Sequence, residues 1–207
     1  MMNLRLTTVA VAALGVGALL ALRVLAPGQQ LSAPSPKETT TGKALIGGPF
    51  ALIDQTGKAV TDRDFRGRYM LVFFGYTFCP DICPASLQVI TAALDQLGPL
   101  ADGITPVFIT MDPARDTPEK LAAYLKSFHP RFVGLTGSQE QVNAAIKAYR
   151  VYAKKVPDDR TPADYTLDHT SIVYLMNPEG NMAAFAPDAT KVELLVAQLR
   201  KGLAVGK

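Results

Sequence analysis

The 207-residue chain contains two cysteines. They are Cys79 and Cys83, four positions apart in Gly75-Tyr76-Thr77-Phe78-Cys79-Pro80-Asp81-Ile82-Cys83-Pro84. A thiolate is both the nucleophile of disulfide exchange and a soft metal ligand. A spacing of four lets two sulfurs come close enough to bond to each other or to hold one ion, and the spacing alone leaves both uses open. Of the two histidines, His129 stands in Phe128-His129-Pro130-Arg131 and reads as a solvated helix C-terminus. His169 stands in Asp164-Tyr165-Thr166-Leu167-Asp168-His169-Thr170-Ser171, directly before an apolar run.

The elements around the cysteines decide how they are presented. Tyr69 to Phe74 is an apolar run bounded by Gly67 and Gly75, as expected of a buried strand. From Pro84 to Leu97, residues Ala85, Val89, Ile90, Ala93, Leu94 and Leu97 recur at helical spacing. Pro80 and Pro84 keep that helix from starting much before the cysteines. Asp81 can cap it, which places Cys83 in the first turn among unpaired amides, where the helix dipole favours thiolate. Both thiols are thus expected where a central strand turns into a helix, the end of an open α/β sheet at which ligands bind.

Along the rest of the chain, Ile46 to Lys58 reads as a short strand and a turn at Asp54 to Gly57, and Val60 begins a second strand. Asp62 to Phe65 reads as a helical turn. Ile104 to Met111 is a second central strand, forming a βαβ unit with the first. Thr117 caps a helix that runs to about Phe128, Phe132 to Leu135 is a short strand, and Ser138 caps a helix over Gln139 to Tyr149. Val151 to Val156 is extended and Pro157 to Thr166 a polar loop. Ile172 to Met176 turns through Asn177 to Gly180 into Met182 to Ala186 as a hairpin, followed by an amphipathic helix. This order predicts a mixed α/β sheet flanked by helices, with a thioredoxin-like layout. In such a sheet the loop entering the hairpin packs beside the cysteine helix, so His169 is expected to meet the two thiols. Two thiolates and one imidazole suit Cu(I), or Cu(II) with a further weak ligand, whereas a structural zinc would need a fourth protein ligand. Asp168 either orients the imidazole from outside the ligand set or serves as a turn residue.

A net charge of +3 with no Lys/Arg block gives no electrostatic reason for a nucleic-acid partner. Arg5 precedes an uncharged run from Leu6 to Leu22, long enough to cross a bilayer if Arg23 snorkels. Pro27 argues against cleavage after Val24-Leu25-Ala26, so residues 1–26 are expected to be an uncleaved membrane-anchor helix. Residues 27–43 shift to Pro, Ser, Thr, Gln and Gly, a flexible linker to one domain over 44–207. Export puts the cysteines where a disulfide can persist.

Together these stretches resemble the Sco/SenC family, copper-handling proteins that assist assembly of the Cu(A) centre of cytochrome c oxidase. The resemblance covers roughly Ile46 to Leu199. It rests on Gly47-Gly48-Pro49-Phe50, the cysteine stretch, Met111-Asp112-Pro113-Ala114-Arg115-Asp116-Thr117-Pro118, Tyr149-Arg150-Val151-Tyr152 and Asp168-His169-Thr170. It implies a thioredoxin-like domain on one N-terminal anchor, with copper ligands at Cys79, Cys83 and His169. Phe78 stands where many members carry a histidine. The implied function is a membrane-tethered copper metallochaperone for cytochrome c oxidase subunit II, in contact with other copper chaperones, facing the periplasm or the intermembrane space. The alternative is a thiol–disulfide oxidoreductase that reduces the cysteines of subunit II, with Cys79 and Cys83 as its redox-active pair. His169 separates the two, because a reductase does not require it. Asp112, Arg115 and Asp116 are expected to form a loop network or docking surface, Tyr149 and Tyr152 to be core, and Met70, Met111 and Met176 to fill the core.

Overall fold

From Tyr69 to Thr136 apolar runs that form strands alternate with amphipathic segments that form helices. The computed structural model describes residues 46–161, 163–187 and 190–205. The elements are β1 (Ala51–Asp54), β2 (Ala59–Thr61), β3 (Tyr69–Gly75), α1 (Ile82–Leu97), β4 (Ile104–Thr110), α2 (Pro118–Leu125), β5 (Val133–Thr136) and α3 (Gln139–Ala148). They continue as β6 (Ala153–Pro157), β7 (Tyr165–His169), β8 (Val173–Met176), β9 (Met182–Ala186) and α4 (Val192–Val205). Seven strands form one mixed sheet in the order β2-β1-β5-β4-β3-β8-β9. β3 pairs in parallel with β4, from Tyr69↔Ile104 to Gly75↔Thr110, and antiparallel with β8.

β3 therefore has both edges paired, and α1 and α4 pack on each other beside the sheet. A strand covered in this way has no polar face, which explains the unbroken run Met70-Leu71-Val72-Phe73-Phe74, all buried. Along α1 the buried stripe is Cys83, Leu87, Ile90, Leu94 and Leu97, with Ala93 and Ser86 beside it. That is a 4-3-4-3 spacing that begins at Cys83 itself. The expected stripe is corrected at Ala85, which faces solvent, and at Val89, which is half-buried.

Thr117 and Ser138 cap α2 and α3 as expected, Ser138 within a reciprocal capping box with Gln141. Asp81 occupies the N-cap position of α1, but its side chain makes no capping bond. The larger departure is at β6 and β7. The segment expected as an extended stretch and a polar loop is an antiparallel hairpin, paired from Ala153↔His169 to Pro157↔Tyr165, and it forms a two-stranded sheet of its own. Its sequences, Ala-Lys-Lys-Val-Pro and Tyr-Thr-Leu-Asp-His, bury little beyond Leu167. A hairpin with almost no apolar face has almost no period-2 signal to read. Its connection is closed by Asp158 N–H donating to the Asp164 carbonyl at 3.0 Å. The expected anchor (residues 1–26) and linker (27–43) lie outside the described residues. Among the described residues no helix is long and apolar enough to cross a membrane.

Candidate metal centre

Cys79 lies in the loop after β3 and Cys83 at the second position of α1, so the strand-to-helix turn holds both. Cys83 is fully buried and Cys79 half-buried, and both are free thiols. The Cys79 amide donates to the Tyr76 carbonyl at 3.2 Å, folding the loop back on itself. The Cys83 amide donates to Cys79 Sγ at 3.4 Å. Sulfur thus takes the place at the helix N-terminus that Asp81 was expected to fill, and an anion there is favoured by the unpaired amides and the helix dipole. Gly75 makes the approach possible. A Cβ at that position would lie 2.9 Å from Cys83 Sγ and 2.7 Å from the Phe108 ring.

The two thiols differ in proton affinity. The Cys83 side chain, working against burial and joined by His169 and the amides of Cys83 and Asp81, lowers the Cys79 thiol to about 4. The same partnership with Cys79, followed by burial, pushes the Cys83 thiol well above its ordinary range. At neutral pH the pair holds one thiolate and one thiol.

His169 ends β7 and reaches the cysteines from the other side, with Nε2 3.5 Å from Cys83 Sγ. Its Nδ1 lies 3.1 Å from the Thr170 carbonyl. A carbonyl can only accept, so Nδ1 carries a hydrogen there and Nε2 is the nitrogen turned toward the sulfurs. The imidazole is therefore oriented by the Thr170 backbone. Asp168 is exposed and lines the same cleft, of about 220 Å³, together with Cys79, Ile82 and His169. The ligand atoms of Cys79, Cys83 and His169 all lie within 4.8 Å of one another. Among the described residues no other group of three or more Cys, His, Asp or Glu side chains gathers in this way. The set is soft and holds no charge-matched carboxylate cage, as copper prefers.

Two further networks brace the site. Asp116, fully buried, accepts from the Thr77 amide at 3.0 Å, the Thr77 hydroxyl at 2.5 Å and the Thr110 hydroxyl at 2.6 Å. Burial pushes its carboxyl up, opposed by those hydroxyl groups. Asp112 pairs with Arg115 Nε and accepts from the Tyr165 hydroxyl at 2.8 Å. The loop network read from Asp112, Arg115 and Asp116 is thus present. Its hydroxyl partners Thr77, Thr110 and Tyr165 had no sequence signal, because hydroxyls in strand ends and loops serve equally well on a surface. Tyr149 and the methionines Met70, Met111 and Met176 are core, but Tyr152 is 49% exposed and corrects that expectation. His129 is also more enclosed than a solvated helix end. Its side chain is 12% exposed and its Nδ1 accepts from the Arg131 amide.

Residues 38–204 match the profile of the SCO1/SenC family. The human mitochondrial SCO1 homolog is 45% identical over 141 residues, covering 67% of this chain and 46% of that protein. The chain spans about half the length of the first curated relatives it matches. Among solved structures, ScoI of Bradyrhizobium japonicum with copper bound is 46% identical at a TM-score of 0.68, covering 75% of this chain and 98% of that one. ScoI of Arabidopsis thaliana with copper bound is 40% identical at a TM-score of 0.72, covering 77% and 99%.

Proposed function

The chain belongs to the SCO1/SenC family, and from that premise we propose that it is a membrane-tethered copper metallochaperone serving the Cu(A) site of cytochrome c oxidase subunit II. The observation that carries the reading is the convergence of two sulfurs and one imidazole nitrogen within 4.8 Å. Copper is the cargo. Relatives of known structure hold it, and the S₂N donor set suits Cu(I), or Cu(II) with an added weak ligand.

The residues divide the work. Cys79 is ready as a thiolate and half-open to the cleft, so it is the first sulfur to meet incoming metal. Cys83 gives up its proton as metal enters, and His169 Nε2 completes the set. Release runs the same exchange in reverse, with a partner's donor atoms replacing Cys79 first. Asp168 adds negative charge at the rim of the cleft. Residues 1–26 as anchor and 27–43 as tether would hold the domain over 44–207 at the periplasmic face of a membrane, or the intermembrane space, within reach of subunit II and other copper chaperones.

The test is a Cu(I) titration of the reduced full-length protein against a competing chelator, beside His169→Ala and Cys83→Ser. Loss of an outer-shell partner costs 10–100-fold in affinity, so loss of a direct ligand is expected to cost at least about 100-fold in each variant. Wild-type affinity in His169→Ala would sink the proposal.

The thiol–disulfide reductase reading has one observation in its favour, an accessible low-pKa Cys79 beside a buried, protonated Cys83. In that reaction Cys79 thiolate attacks a partner disulfide and expels one partner thiolate. Cys83, losing its proton, then attacks Cys79 Sγ, expels the second and leaves a Cys79–Cys83 disulfide, so two electrons pass to the partner. Exchange activity that survives His169→Ala while copper binding does not would assign both chemistries to one pair.

A further inference from the structure

His169 ends β7, four residues before the chain enters the central sheet again at Val173 of β8. β7 pairs with β6 alone, and the two form a separate sheet. Besides that chain link, the hairpin is tied to the cysteine side of the molecule by side-chain bonds. Those bonds converge on Tyr76 and on the Asp112–Arg115 pair.

Tyr76 follows β3 directly, and the residue is 2% exposed. Its hydroxyl lies 2.8 Å from Thr166 Oγ1 and accepts from the Leu167 amide at 3.3 Å, so one phenol engages two successive residues of β7. Its ring meets the His169 imidazole edge-on, with centroids 5.9 Å apart at 81°. The carbonyl of the same residue accepts from the Cys79 amide. Tyr76 thus touches the Cys79 backbone at one end and the His169 strand at the other. The second tie is at Tyr165. Its hydroxyl donates to Asp112, its carbonyl accepts from Arg115 Nη1 at 3.3 Å, and its ring lies 4.1 Å from the Arg115 guanidinium carbon. The Asp112 loop is itself fixed to the cysteine strand by the Met111 amide donating to the Gly75 carbonyl at 2.8 Å.

We propose that Tyr76, assisted by the Asp112–Arg115–Tyr165 tie, is the positioning residue that holds His169 against Cys79 and Cys83 and so sets how tightly the site holds copper. It does this without coordinating the metal. When a ligand is in place for only a fraction of the time, the apparent affinity falls by that fraction. Removing the phenol hydroxyl frees Thr166 and the Leu167 amide from the cysteine loop while leaving both sulfurs and the imidazole in the chain.

This inference rests on the copper reading of the site. The experiment compares Tyr76→Phe with wild type, each with and without His169→Ala, as full-length reduced protein titrated with Cu(I). Outer-shell partners of metal ligands are worth 10–100-fold, and Tyr76→Phe is expected to weaken copper by about 10-fold where His169 is present and to change nothing in the His169→Ala background. X-ray absorption of the copper-loaded Tyr76→Phe protein should show a reduced nitrogen contribution at unchanged sulfur count. Wild-type affinity, or an equal loss in both backgrounds, overturns the proposal, because a general loss of packing does not require His169. If Tyr76→Phe fails to fold by circular dichroism, Tyr165→Phe takes its place in the same cycle with the same outcomes. The metal-free protein separates this failure from that of the copper reading. His169 ring resonances and Leu167 amide exchange should change in Tyr76→Phe whether or not wild type binds copper, and unchanged signals overturn the clasp alone.

Discussion

Cys79 and Cys83 are the same residue type four positions apart, yet the fold gives them opposite proton affinities. One sulfur caps a helix and faces a cleft, while the other starts the buried stripe of that helix. At pH 7 the metal-free pair carries a single proton, on Cys83, so copper entry must expel it. Affinity for Cu(I) is therefore expected to rise about tenfold per pH unit through the neutral range, with one proton released per copper. Below pH 4 the slope steepens, because Cys79, lowered to about 4, is then protonated as well. The stability sign follows from the same shift. The folded value of Cys79 lies below the ordinary 9.0, so its thiolate stabilises the metal-free fold fully above pH 9 and the contribution fades as pH falls toward 4. Alkylation with iodoacetamide checks both sulfurs. Cys79 should react with a midpoint near pH 4, Cys83 should stay unlabelled in the native protein, and Cys83→Ser should move the Cys79 midpoint upward. Equal labelling of both cysteines would contradict the assignment.

At the scale of elements, the loop from β4 to α2 is the brace of the site. Asp116 receives the Thr77 amide and hydroxyl, so the cysteine loop is held from below by a carboxylate on the neighbouring strand-to-helix turn. Thr77→Ala removes one donor from a buried carboxylate, and a buried polar group left unpaired costs about 1–3 kcal/mol. Denaturant unfolding should read a loss of that size, with copper stoichiometry retained at one per chain. A loss within experimental error would mean that Asp116 finds another partner and that the brace is dispensable. The motif Met111 to Pro118 was legible as a turn-rich, charged loop, and its cap at Thr117 with Pro118 in the first helical position read correctly. Its partners could not be read, because Thr77 and Tyr165 lie 39 and 53 residues from the aspartates they bond.

Across the whole molecule, the ligands come from regions of unequal burial and strand pairing. Cys79 and Cys83 stand at the end of a strand paired on both edges, whereas His169 rides on a hairpin that buries little. Amide exchange is slowest where backbone bonds are buried and cooperative. The amides of β6 and β7 should exchange faster than those of β3, β4 and β8 in the metal-free protein, and copper should slow the hairpin selectively. A hairpin as protected as β3 before copper is added would remove the basis for this division.

Local pattern alone determined most of this protein. The buried central strand, the helix after the cysteines, the βαβ unit and the final hairpin all follow from periodicity, prolines and caps, and the donor types of Cys79, Cys83 and His169 limit the chemistry to soft metal or thiol exchange. Tertiary structure decided the rest. It placed Cys79 Sγ rather than Asp81 at the helix cap, paired the expected extended stretch with the residues up to His169 as a hairpin, and supplied the Thr170 carbonyl that turns Nε2 toward the sulfurs. Those outcomes depend on contacts between distant segments whose residues have no characteristic spacing, and a periodic signal exists only where one face of an element is buried along its length.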